Sequence, residues 1–304
     1  MKNVWKYIKN PLQLVCFVAS KGGFDYLTDE QYIKLLFRVN TGKQLDIGNP
    51  RTFNEKIQWL KLYNHNPLYT TMVDKYEAKK YISGILGDQY IIPTLGVWDD
   101  INAINFDNLP DQFVLKTTHD SGGVVICKDK QSFDIEAAKK KLEKSLKNKF
   151  FMFGREWSYK NVKPRIIAEE YLENDADGLH DYKIWCFNGT PEYVQYISGI
   201  NTDHSSEGFY NRDWQLQSFS YHNPLMKNPA PRPVCLDELL ACAKTLAKDC
   251  PFVRCDFYVL EDGSIRFGEM TFYPMSGMET WKPAEQDRIM GDKIDLSLCN
   301  IKSN

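Results

Sequence analysis

The stretch Arg254-Cys255-Asp256-Phe257-Tyr258-Val259-Leu260-Glu261-Asp262-Gly263-Ser264-Ile265-Arg266-Phe267-Gly268-Glu269-Met270-Thr271 constrains the fold most. Asp262-Gly263 lies between two apolar runs, which predicts a hairpin with a two-residue turn. That turn opposes Glu261 to Ser264 and Leu260 to Ile265. The same register opposes Asp256 to Glu269 and Arg254 to Thr271, all on one face because strand side chains alternate. Two carboxylates directly opposite, with Cβ atoms about 5 Å apart, repel each other. A divalent cation offsets that repulsion, and Mg²⁺ takes one or two carboxylates plus substrate phosphates. The alternatives are simple pairing of a carboxylate with Arg254 and a bulge at Gly268 that breaks the register.

Upstream, residues 25–86 read mostly helical. Thr52-Phe53-Asn54-Glu55 has the form of a capping box, and Phe53, Ile57, Trp59 and Leu60 follow at helical spacing. Asp74-Lys75-Tyr76-Glu77 opens another helix that runs to about Leu86 and stops at Gly87. Strands are expected at 113–116, 124–127, 166–169, 184–187, 193–197, 253–260 and 265–270, with Asn188-Gly189 as a second hairpin turn. Amphipathic helices are expected at 134–149 and 236–249. Single helices among tight hairpins predict an α+β chain with largely antiparallel sheets, not a doubly wound parallel sheet.

The 304 residues suggest about two domains. Lys and Arg number 38 against 40 Asp and Glu, which gives no electrostatic footprint for nucleic acid. The lysines at 139, 140, 141, 144 and 147 read as one solvated helix face. The eight cysteines form no C-x-x-C pair and several sit in apolar runs, so buried free thiols in a reducing cytoplasm are expected. No apolar run is long enough to span a bilayer. Lys2, Lys6 and Lys9 precede the mostly apolar stretch from Leu12 to Ala19. A packed N-terminal helix is one reading, and a peripheral contact with the inner membrane face is the other.

Lys116 ends a strand, and Gly122-Gly123 lies before the next. Such a loop can point backbone N–H groups at phosphates while the lysine neutralises charge. With the carboxylate pair, this makes a nucleotide hypothesis. Ile166 to Leu172 is a strand that turns polar at Glu169-Glu170.

Together these residues resemble the ATP-grasp superfamily, in which two α+β lobes hold ATP between them and the usual reaction joins a carboxylate to an amine through an acyl phosphate. Phe53-Asn54-Glu55-Lys56, Asp74-Lys75-Tyr76, Gly154-Arg155-Glu156-Trp157 and Gly268-Glu269-Met270-Thr271-Phe272 resemble the TupA-like branch, associated with teichuronopeptide and other bacterial surface polysaccharides. The resemblance covers roughly residues 50–280. It implies a helical region 1–73, a first lobe 74–165 and a second lobe 166–304. It also implies that Lys75 and Lys116 contact ATP phosphates beneath a mobile loop of Gly122 and Gly123. Glu169, Glu170 and Leu172 would line the adenine, Asp181 would meet the ribose, and Lys183 a phosphate or the acyl phosphate. Asp256 and Glu269 would hold Mg²⁺. Thr271 stands where many members have Asn, which leaves the number of ions open. Arg155, Arg212 and Arg254 are candidates for the acid substrate or the transferring phosphoryl group. The loop at Ser276-Gly277 would close the acceptor site. The oligomeric state is open.

The carboxylate substrate implied is a uronic acid or glycan precursor, with an amine as second substrate. A glycosyltransferase is the competing reading, since Asp175-Ala176-Asp177 has a D-x-D form, although a polar turn explains that stretch equally. A non-catalytic nucleotide-binding partner is the third, and the presence of both lysines and both carboxylates counts against it.

Overall fold

The computed structural model describes residues 15, 17–19, 22–172, 180–198 and 205–299. Lys2, Lys6, Lys9, Leu12 to Leu14 and Asp175-Ala176-Asp177 lie outside them. Nine strands are named in chain order: β1 Thr94–Trp98, β2 Phe113–Thr117, β3 Val124–Cys127, β4 Ile166–Glu170, β5 His180–Phe187, β6 Thr190–Ser198, β7 Ser206–Tyr210, β8 Phe252–Val259 and β9 Ile265–Thr271. They form a four-stranded sheet in the order β1-β4-β2-β3 and a five-stranded sheet in the order β7-β6-β5-β8-β9. Every strand pair is antiparallel, as the hairpin-rich sequence requires.

The helices are α1 Asp29–Thr41, α2 Phe53–Tyr63, α3 Leu68–Val73, α4 Glu77–Leu86, α5 Ile135–Leu146, α6 Phe150–Gly154, α7 Leu236–Leu246 and α8 Gln286–Asp292. The expected capping box starts α2, with Thr52 and Glu55 satisfying each other's backbone N–H groups. On α5, Ala138, Leu142 and Ser145 form the buried face, while Lys140, Lys141, Lys144 and Lys147 are exposed. No described helix is long and apolar enough to cross a membrane. The seven described cysteines are unpaired and buried.

Two hydrophobic cores follow the two sheets. The smaller one joins Phe113, Leu115, Ile166 and Ala168 of the first sheet to Leu142 of α5. The larger one lies against the second sheet and takes in Phe53, Ile57, Tyr69, Ala78 and Ile82 from α2, α3 and α4. The Phe53 ring sits 5.5 Å from Trp185, 5.0 Å from Phe252 and 5.6 Å from Trp281. This packing departs from the expected segments. Strand β4, assigned above to the second lobe from 166, is an inner strand of the first sheet. Helix α4, assigned to the first lobe, packs on the second core together with α2 and α3, while α1 sits in two small clusters of its own, around Tyr32 and Leu36 and around Ile33 and Phe37. Apolar faces, not chain order, decide the partition.

Asn188 and Gly189 are both left-handed (φ 49° and 76°), and Phe187 pairs with Thr190, so this turn is the expected two-residue type. The Asp262-Gly263 turn is different. Gly263 alone is left-handed (φ 81°), and the Leu260 N–H donates to the Ser264 carbonyl. The Asp262 carboxylate accepts the Ser264 N–H at 2.9 Å, which keeps Asp262 out of the left-handed region. The loop is therefore three residues, and Val259, not Leu260, pairs with Ile265. A bulge at Gly268 then restores the register, so that Asp256 pairs with Glu269 and Arg254 with Thr271. A Cβ on Gly268 would lie 3.0 Å from the Asp256 carbonyl oxygen, so glycine is what allows the strands this close.

Candidate active site between the two sheets

The two sheets face each other across a cavity of about 160 Å³. Lys116, Ser121, Gly122, Val124 and Glu169 line it from the first sheet and its loop, and Lys75 and Lys79 reach from the start of α4 to bond Asp120 and Glu169 on that side. Asp181, Lys183, Asp256, Tyr258, Phe267, Gly268 and Glu269 line it from the other, with Ile91 and Ile92 at the edge.

On the first side the Glu169 carboxylate is buried between two ammonium groups, Lys79 at 2.5 Å and Lys116 at 2.6 Å. Burial pushes the Glu169 carboxyl up, but Lys116 and Lys79 outweigh it and hold it below the usual range. Lys75 Nζ donates to the Asp120 carbonyl at 2.5 Å. Burial lowers the Lys75 and Lys79 pKa values, and nearby carboxylates offset only part of this. Three lysines against one carboxylate leave the wall electropositive, which suits a polyphosphate.

On the second side Asp256 is 2% exposed. Arg254 grips it with two hydrogen bonds, Nε to Oδ1 at 2.7 Å and the terminal nitrogen to Oδ2 at 2.6 Å. Lys183 donates to the same Oδ2 at 2.8 Å and also to Asp181. Burial raises the Asp256 pKa, but Arg254 and Lys183 outweigh it and hold the carboxyl below its ordinary value. Asp181 is pushed up by burial, against the pull of Lys183, and its Oδ1 is buried without a hydrogen-bond partner. Arg254 also reaches Thr271 Oγ1 at 3.1 Å and Glu269 at 3.5 Å. The pairing of Arg254 with Asp256, one of the alternatives at the sequence level, is thus real. It coexists with the opposed carboxylates rather than replacing them.

The carboxylates still suit a divalent cation. Among the described residues no cluster of three or more His, Cys, Asp or Glu could hold a metal. Two carboxylates completed by phosphate and water oxygens is the donor set Mg²⁺ favours. Three donors occupy Asp256, and a carboxylate offers about four acceptor positions. Glu269 has a side chain 44% exposed.

Several expected residues fall elsewhere. Gly123 is buried, and a Cβ there would meet Thr117 Oγ1 at 1.8 Å, so it is a packing glycine and only Gly122 faces the cavity. Glu169 contacts the lysines. Glu170 and Leu172 line a neighbouring pocket with Ile91, Pro93 and Arg266. The Glu170 N–H is already taken by the Pro93 carbonyl. Arg155 is buried under α1, its guanidinium 4.3 Å from the Tyr32 ring centroid and 3.4 Å from Asp29. Arg212 is exposed in the turn after β7. Neither arginine lines the cavity, and Arg254 borders it only through its partners. Lys79 and Tyr258 were missed. Lys79 follows Lys75 by four residues in the stretch the sequence reads as helix, although Lys75 itself lies in the turn before α4, and Tyr258 follows Asp256 by two on one strand face, so both were legible as spacing.

Beyond β9 the backbone turns left-handed at three successive residues, Met275 (φ 48°), Ser276 (φ 57°) and Gly277 (φ 60°). For a residue with a Cβ this costs about 1–2 kcal/mol. Helix α2 holds the turn with a buried polar stripe at i, i+4 and i+7. Asn54 donates to the Glu279 carbonyl at 2.7 Å. Gln58 donates to the Ser276 and Gly277 carbonyls at 2.9 and 2.8 Å. Lys61 donates to the Ser276 carbonyl and to its Oγ, both at 2.7 Å.

Burial lowers the Lys61 pKa to about 8, with Glu156 opposing. An unfolded lysine titrates near ~10.4, so between these values the unfolded chain binds the extra proton and stability rises with pH. The stability of the wild type minus that of Lys61→Met is therefore expected to grow by on the order of 2–3 kcal/mol from pH 8 to pH 10.5. Urea midpoints of both proteins across that range check this. A pH-independent difference contradicts it.

The TupA-like ATPgrasp family model matches residues 55–295. No curated protein matches the chain. Among solved structures the chain is similar to the D-cycloserine synthetase DcsG, at 17% identity over 67% of this chain and 63% of that one, TM-score 0.38. It is also similar to the VanG D-Ala:D-Ser ligase from Enterococcus faecalis, at 15% identity over 73% of this chain and 60% of that one, TM-score 0.43. The chain spans 55–63% of the length of the first solved chains it matches. With four-fifths of its length matched by one family model, and with two antiparallel sheets facing each other across a cavity of lysines and carboxylates, the chain belongs to the TupA-like ATP-grasp family.

Proposed function

We propose that the chain is an ATP-dependent carboxylate–amine ligase whose carboxylate substrate is a uronic acid of a surface polysaccharide or its precursor. One observation carries the reading. Lys75, Lys79 and Lys116 face Asp256 and Glu269 across a single cavity. That sets cations for a polyphosphate opposite acids for its divalent counter-ion.

In this reading the three lysines bind and neutralise the phosphates, and Glu169 fixes the spacing of two of them. Asp256 and Glu269 would hold Mg²⁺, which supplies charge neutralisation at the transferring phosphoryl group. Arg254 and Lys183 orient Asp256 and keep it ionised. The substrate carboxylate oxygen attacks the γ-phosphorus and ADP leaves. The amine then attacks the acyl carbon, phosphate departs, and the amine gives up a proton to complete the amide. The family resemblance supports the polysaccharide substrate.

The test supplies purified protein with Mg-ATP, uronic acids labelled with ¹⁸O in the carboxylate, and amines. UDP-sugars are supplied in parallel. ADP forming with both acceptors present, and ¹⁸O appearing in the released phosphate, is the expected result. UDP release without ATP consumption would overturn it in favour of sugar transfer.

A further inference from the structure

Beneath the glycine loop lies a buried polar knot that no step above uses. Asp120 is 2% exposed. Its carboxylate accepts hydrogen bonds from Thr117 Oγ1, from Ser145 Oγ on α5 and, at 3.4 Å, from Asn148 Nδ2. The Thr117 and Ser145 hydroxyls are themselves 2.9 Å apart. Gly123 closes over this group so tightly that a Cβ would lie 2.2 Å from Ser145 Oγ. The Thr117 N–H donates to the Gly123 carbonyl at 2.8 Å, which pins the far end of the loop. Only Ser121 and Gly122 remain exposed. On the cavity side, the Asp120 carbonyl receives Lys75 Nζ, while the Lys75 N–H donates to the Thr118 carbonyl at 3.2 Å.

One residue thus ties three things together. Its side chain anchors the loop to α5, its carbonyl holds an ammonium over the cavity, and its position sets where Ser121 and Gly122 begin. We propose that Asp120 is a positioning residue for polyphosphate binding, acting through Lys75 and the two-residue tip without touching the nucleotide. The inference rests on the nucleotide reading above. The moving part of the loop is then its tip, and the stem is part of the first core.

Equilibrium binding of Mg-ATP and of adenosine to the full-length chain tests this. Asp120→Ala removes the acceptor of three hydrogen bonds and is expected to weaken ATP binding by about tenfold or more. Adenosine affinity should stay within about twofold, and Asp120→Asn should recover part of the loss. Ser145→Ala, distant from the cavity, should weaken ATP binding several-fold with the fold intact, which keeps the test sound if Asp120→Ala unfolds. Folded variants with wild-type ATP affinity would overturn the proposal, as would an equal loss for ATP and adenosine. Wild-type protein that binds no ATP overturns the nucleotide reading itself, and the Asp120 role with it.

Discussion

Glu269→Gln is expected to lower ATP turnover by at least about 100-fold while leaving the melting temperature nearly unchanged. The two effects separate because of where Glu269 sits. Its side chain is 44% exposed, its approach to Arg254 is a loose 3.5 Å, and Thr271 Oγ1 donates to it at 3.3 Å. An amide keeps the shape and the acceptor oxygen, so the hairpin holds. It loses the charge, which a cation needs and which the fold does not. Turnover assays with parallel thermal melts decide the matter, and wild-type turnover would sink the assignment of Glu269 as a cation ligand.

Asp256→Asn is expected to abolish turnover as well, but here the fold pays. Asp256 is buried beneath Arg254 and Lys183, and neutralising it leaves both cations buried with a weaker partner. Breaking a buried pair this way costs about 3–5 kcal/mol. The pH dependence has a definite sign. Burial raises the Asp256 pKa, Arg254 and Lys183 lower it further than burial raises it, and the net folded value lies below the ordinary one. The stabilisation is therefore fully present above the unfolded pKa of about 3.9 and is lost as pH falls through the folded value. Urea midpoints at pH 7 and in the range below pH 4 should show the gap between wild type and Asp256→Asn narrowing on acidification. A gap that widens or stays constant contradicts the buried-ion account.

The site was legible in the sequence where local chemistry determines geometry. Asn188-Gly189 turned as its residues require, and Thr52 and Glu55 capped the helix they open. The opposition of Asp256 and Glu269 was also right, although the path to it was not. A two-residue loop without a bulge and a three-residue loop with one bring the same two residues together. Other features depended on distant chain. Strand β1 contains Gly96 and follows Pro93, so its own residues argue weakly for a strand, and β4, some 70 residues on, completes it. Glu169 looked like the polar end of a strand because Lys79, on a helix far away in sequence, was not read as its partner. Arg155 carried a guanidinium that suits an acid substrate. Its left-handed backbone (φ 52°) and the stacking of α1 turn it inward instead. On α2 the apolar positions were read and the polar stripe was not, because Asn54, Gln58 and Lys61 look solvated until their acceptors are known.

Those acceptors lie 215–225 residues away, and this sets an order of events during synthesis. A nascent chain that has released α2 but not yet the turn at 275–277 exposes three polar groups with no carbonyls to satisfy them. Its apolar face likewise has no Trp281 to pack on. Helix α2 should therefore wait, loosely held, until the chain through Trp281 has emerged. Closure over such a separation is slow, because the entropy of ordering the intervening chain is spent before the contact forms. The turn at 275–277 and the α2 stripe that holds it thus become native later than the sheets that precede them. A ribosome-bound fragment ending before residue 274 would carry both sheets and both candidate cation ligands, yet leave the α2 stripe without its partner.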